Sequence, residues 1–204
     1  AGLLGGSIGL ALRKSHLAGC VEAFVRRPVS VAECESLGVV NSASLDLEAV
    51  VRDADLVLLC TPVSQMAELT RLLLPALKPG AIVTDVGSTK EQLALVLGPM
   101  VTNAGGVFIG SHPMGGSERT GVGAARDDLL EGVVCVLTPD DQAPGDAVDR
   151  LEQFWGSLGA KPIRMTARLH DELVGRSSHL PHLVSSALAA YVLGDGHEGQ
   201  QARL

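Results

Sequence analysis

Aromatic side chains are almost missing from this chain: three phenylalanines, one tyrosine and one tryptophan in 204 residues. Any core must therefore be built from leucine, valine and alanine, for which the 46% apolar content is ample. Positive charge is short as well. Sixteen lysines and arginines stand against 23 aspartates and glutamates, and a net charge of −7 argues against the basic patch that nucleic-acid binding requires. No uncharged apolar run reaches the roughly 18 residues of a membrane span, and no basic, apolar and cleavable leader is visible. The cysteines (Cys20, Cys34, Cys60, Cys135) show no CxxC spacing, and Cys60 and Cys135 sit in apolar strand-like runs. They are expected to be free thiols of a cytoplasmic protein, with neither disulfides nor a metal site.

Glycine is where this sequence is rich. Gly2, Gly5, Gly6 and Gly9 run into a helical pattern from Ile8 to Leu17. Gly2 and Gly5 match the second and third glycines of a GxGxxG dinucleotide fingerprint, with Leu4 between them. Gly2 lets backbone approach a pyrophosphate, and the helix N-terminus offers N–H groups and a positive dipole end to the phosphates. About 20 residues on, where the fingerprint expects a ribose-reading acid, the short strand Val21–Val25 is followed by Arg26 and Arg27. Two guanidiniums there suit a 2′-phosphate, so NADP is expected over NAD.

Strand and helix patterns then alternate. A helix over Val29–Leu37 stops at Gly38, Val39 and Val40 read as a short strand, and Asp46–Val51 reads as helical. Leu56–Cys60 has the continuous apolar character of a strand buried in a parallel sheet. Thr61 and Pro62 end it, and Ser64 caps a helix to about Leu77. The strand Ala81–Val86 delivers Ser88 into a loop opening a helix at Glu91–Leu97. The strand Val107–Ile109 leads to a Gly-rich loop presenting His112, with Ser117 and Glu118 beyond it. A short helix at Ala124–Leu130, a strand at Val133–Leu137, a helix at Ala147–Leu158 and a strand at Lys161–Met165 complete the pattern. This implies an α/β, Rossmann-type doubly wound parallel sheet over residues 1–165, with ligand groups gathered at the carboxyl ends of strands. Thr61, Pro62, Ser88 and His112 all fall at such ends. From Thr166 the pattern turns helical through residue 204, as at the start of an all-helical domain. His179 and His182, three apart, share a helix face, but no cysteine or carboxylate completes a metal set. Pro181 between them predicts a kink or a restart. The chain opens without a strand and closes just after a helical pattern, so it is expected to be a piece of a longer product lacking its first strand.

Four motifs, LLGGSIGLAL at the start, TDVGSTK at Thr84–Lys90, GSHPMGGSERTGVGAA at Gly110–Ala125 and SSHLPHLVSSALA at Ser177–Ala189, together resemble the prephenate/arogenate dehydrogenases of tyrosine synthesis. The resemblance implies an NAD(P) domain followed by a helical domain that forms a homodimer and completes the substrate pocket. It implies oxidative decarboxylation of prephenate or arogenate. It assigns His112 as the catalytic base, Ser88 as the group orienting that histidine and the nicotinamide, and Ser117 and Glu118 as residues at the pocket mouth. It makes His179 and His182 substrate contacts, His182 the more direct. Other Rossmann dehydrogenases or imine reductases, and a non-catalytic nucleotide-binding module, are the competing readings. The first have no SHLPH motif; the second has no use for Ser88, His112 and His182 together.

Overall fold

The computed structural model describes residues 2–193. The sheet elements are β1 (Glu22–Phe24), β2 (Ser42–Ser44), β3 (Leu56–Leu59), β4 (Ile82–Asp85), β5 (Val107–Phe108), β6 (Gly110–Pro113), β7 (Val134–Thr138) and β8 (Lys161–Arg164). The α-helices are α1 (Leu3–Lys14), α2 (Pro28–Ser36), α3 (Leu47–Val51), α4 (Val63–Leu73), α5 (Glu91–Asn103), α6 (Gly145–Ser157), α7 (Ala167–Val174) and α8 (Leu180–Leu193).

Strands pair β1–β2, β3–β4–β5 and β6–β7–β8. Every pair is parallel except β6–β7, which is antiparallel. Strand alternation explains why helices cover both faces. Ile82 of β4 packs with Ile8 and Leu12 of α1 and with Leu151 and Trp155 of α6. Its neighbour Val83 faces the other way, into Met66 and Leu73 of α4 and Leu93, Leu97 and Val101 of α5. Successive side chains of one strand therefore serve two separate cores, the arrangement of a doubly wound sheet.

Several expected elements differ. Val39 and Val40 are not a strand; they are buried with Val25 and Cys34, and the strand forms three residues later at Ser42–Ser44. The apolar pair packs beneath the sheet as filler. The helix expected over Ala124–Leu130 is reduced to one 3-10 turn at Val122–Ala124. Its continuation is diverted because the Arg126 N–H bonds the Ser7 hydroxyl at 3.0 Å. The helix from Glu91 continues through Pro99 to Asn103. Ser64 does not cap α4, whose N-cap is Pro62. His112 lies in a strand, because Gly110–Pro113 pair in register with Cys135–Thr138. Between α7 and α8 the backbone forms a π-helical turn at Gly175–His179, just ahead of Pro181. Along α8 no residue is buried, and Leu183, Val184, Leu188 and Tyr191 are all exposed.

Candidate functional site

Strand β6 is held from beneath. The Trp155 indole N–H donates to the Ser111 hydroxyl at 3.0 Å, and that hydroxyl lies 2.7 Å from the hydroxyl of Thr84 on β4. The Ser111 N–H points at Asp85 Oδ1. Asp85 also accepts from the Gly87 N–H at 2.8 Å and pairs with the Lys90 ammonium. Both charged side chains are fully buried. Burial pushes the Asp85 carboxyl up and the Lys90 ammonium down, each opposed by its partner. Such a pair gives little net stability, but its loss would leave a buried charge unpaired. It ties the end of β4, the Gly87–Lys90 loop and β6 into one unit.

His112 follows Ser111 in this strand. Its Nδ1 lies 2.8 Å from Nε2 of His170 on α7, with the two rings edge to face, centroids 5.0 Å apart. The His170 side chain is fully buried, and its Nδ1 lies 2.7 Å from Asp171 Oδ1. Asp171 in turn accepts the backbone N–H groups of Lys90 at 2.8 Å and Glu91 at 2.9 Å, at the N-terminus of α5. Burial, then the proximity of His170, Lys90 and His179, pushes His112 down to about 4, with only Asp171 opposing. A neutral imidazole at physiological pH follows, able to accept a proton.

His112 lines a cleft of about 570 Å³ together with Ser88, Met114, Gly115, His179 and His182. The structure thus gathers four expected residues, Ser88, His112, His179 and His182, from the β4–α5 loop, β6 and the segment around α8. The ring nitrogen facing the protein is met by His170, and among the described residues Ser88 makes no hydrogen bond to it. Ser117 and Glu118 do not line the cleft; they bond each other at 3.1 Å on the exposed loop beyond Gly115. A larger, open cleft of about 750 Å³ between Leu10, Arg13, Gly38 and Arg126 has none of these groups. No group of three or more histidines, cysteines or carboxylates suited to a metal occurs among the described residues.

The start of α1 is suited to an anion. Helix α1 begins at Gly2 with no side-chain cap and no acidic residue in its first turn. Its leading N–H groups, around Leu4 and Gly5, are unclaimed by side chains, as phosphate binding requires. Gly9 lets α1 close on the chain: a Cβ there would overlap the Val39 carbonyl oxygen. Arg26 and Arg27 are exposed after β1, and Arg26 donates to the neutral Gln65 side chain at 3.1 Å. At the end of β3 Pro62 is exposed, and the buried Thr61 hydroxyl has no partner, an unsatisfied group of the kind a ligand completes.

His170 and Asp171 were not singled out by the sequence. The signal present was a His-Asp pair one turn into a helix capped by Thr166, and nothing in its spacing pointed to His112, 58 residues away.

These features define a nucleotide-binding α/β domain with a histidine-lined cleft. The sequence matches the family described as prephenate dehydrogenase, nucleotide-binding domain, over residues 8–164, and the chain belongs to that family. It is 33% identical to a cyclohexadienyl dehydrogenase of Zymomonas mobilis, over 78% of this chain and 54% of that protein. Its fold superposes with a TM-score of 0.87 on prephenate dehydrogenase from Aquifex aeolicus in complex with hydroxyphenyl propionate and NAD+, at 31% identity, covering 94% of this chain and 66% of that one. Arogenate dehydrogenase from Synechocystis gives a TM-score of 0.84 at 30% identity, covering 95% and 67%. The chain spans about half the length of the curated relatives it matches.

Proposed function

We propose that the protein is a prephenate or arogenate dehydrogenase, an oxidoreductase that decarboxylates a cyclohexadienol oxidatively with a nicotinamide cofactor, in the cytoplasmic synthesis of tyrosine. The observation that carries this reading is the single cleft that brings His112 together with Ser88, His179 and His182; burial, pushing the His112 imidazole down to about 4, supports it. When bound, a nicotinamide supplies the hydride acceptor. The protein's task is to take the proton from the substrate's ring hydroxyl as hydride leaves the same carbon, and His112 Nε2 is placed for that. Loss of carbon dioxide aromatises the ring and needs no further acid. His182, with His179 beside it, contacts the substrate, and Ser88 lies beside the nicotinamide. Ser117 and Glu118 flank the entrance on their loop.

Gly2, Leu4 and Gly5 cradle the pyrophosphate, Thr61 and Pro62 border the nicotinamide half, and Arg26 and Arg27 take the 2′-phosphate, which makes NADP the preferred cofactor over NAD. Residues 1–165 form the nucleotide domain and 166–204 begin the helical one. The exposed leucines of α8 support a homodimer formed through that helical part. Of these last residues, 194–204 lie outside those described.

The test is reduced-cofactor formation by the full gene product, with prephenate and arogenate each offered with NADP and NAD. Turnover of one substrate with NADP preferred is the expected result. A clear preference for NAD overturns the role of the arginine pair, and no turnover with any combination overturns the reaction.

A further inference from the structure

Proton abstraction needs one imidazole, yet His112 is backed by a second imidazole and a carboxylate, both withheld from the cleft. We propose that His170 and Asp171 are positioning residues that hold His112 as its Nδ1–H tautomer and so present the Nε2 lone pair to the substrate. The proposal rests on His112 being the base.

An ionised carboxylate only accepts hydrogen bonds. Asp171 is surrounded by three N–H positions: the backbones of Lys90 and Glu91, and His170 Nδ1. The positive end of α5 favours the negative charge there, and although burial opposes it, the Asp171 carboxyl is held below its ordinary value by the donors from Glu91, His170 and Lys90. His170 Nδ1 must then carry hydrogen. In the neutral ring Nε2 is left as a lone pair, and it faces His112 Nδ1 at 2.8 Å. That nitrogen must carry hydrogen in its turn, and the only lone pair left on His112 is at Nε2. Because the His170 side chain is fully buried, bulk water cannot take its place. When Nε2 gains the substrate's proton, every existing bond keeps its direction, and Asp171 faces the new cation through one intervening ring. This is how a buried carboxylate orients a catalytic histidine in hydrolase triads, here extended by one imidazole.

The relay also links two parts of the fold. Asp171 caps the first turn of α5, whose preceding loop carries Ser88, so α7 sets His112 and the Ser88 loop together.

The test uses the full gene product labelled with ¹⁵N at histidine. The His112 signals are assigned by their loss in His112→Asn. At neutral pH, without substrate, the expected spectrum shows His112 protonated at Nδ1 and bare at Nε2. His170→Leu is expected to let the His112 ring lose this single tautomer and to lower kcat about 100-fold with the KM for cofactor unchanged. In His170→Gln the amide oxygen can accept from His112 and the amide N–H can donate towards Asp171, so most of the activity returns. A wild-type His112 protonated at Nε2, or a Leu variant as active as wild type, overturns the proposal. If the Leu variant does not fold, the wild-type tautomer and the Gln variant decide. The spectrum is independent of turnover, so normal activity in His112→Asn would defeat the base assignment separately.

Discussion

His112 is the proposed base, and its environment makes a pH prediction. Burial is the main reason its imidazole is pushed down to about 4; His170, Lys90 and His179 add to this, and Asp171 opposes it. In the unfolded chain a histidine titrates near 6.5. Between those two values the unfolded state binds a proton that the native state refuses. The contribution of this site to stability is therefore complete above about pH 6.5 and is lost progressively as the pH falls towards 4. Urea unfolding at pH 7 and pH 5 should show a lower midpoint at pH 5. His112→Asn should narrow that difference; an unchanged difference would mean that the ring is not held neutral. For activity the sign is favourable, because a base already neutral at pH 6 does not lose turnover there through its own protonation.

At the scale of elements, α1 is set by its glycines. Alanine is worth up to about 1 kcal/mol over glycine in a helix interior. Gly9→Ala would nevertheless drive a Cβ into the Val39 carbonyl oxygen, and overpacking of this kind costs about 1–3 kcal/mol. The clash wins: a lowered melting temperature and weakened cofactor binding are expected, read by thermal unfolding with and without cofactor. A variant as stable as wild type would show that α1 can move off the sheet freely. The elements also show where sequence reading ends. Helices with local apolar periodicity, such as α6, or with a clear stop, such as α2 before Gly38, were legible. So were β3 and β4, as apolar runs. Strand β6 was not, because Gly110–Pro113 has no strand pattern and becomes a strand only by pairing with β7, more than 20 residues later. Val39 and Val40 look like a strand because burial beneath a sheet selects the same residues as burial within one. The relay behind His112 was illegible for a similar reason. His170 and Asp171 meet β6 and α5 only through the packing of α7, and a His-Asp pair carries no mark of its partner.

At the scale of the whole molecule, the proposed tasks of cofactor binding and chemistry fall on different elements. In the proposed reading, cofactor binding falls to α1 and the loops after β1 and β3, where the glycines and the arginine pair were legible from sequence alone. The proposed chemistry falls to the loop after β4, to β6 and to the helices from α7 onward, which share one cleft. Trp155, Ser111 and Thr84, with the buried Asp85–Lys90 pair, join β6 to α6, to β4 and to the loop after it. No helix among the described residues is long and apolar enough to cross a membrane. Because the proposed roles rest on different elements, they should be separable by substitution. The measurement that bears most directly on this is steady-state turnover and cofactor affinity of His112→Asn in the full gene product. The expected result is a kcat lowered by about 100- to 10,000-fold with the Kd for cofactor unchanged. Turnover equal to wild type would contradict the assignment of His112 as the base.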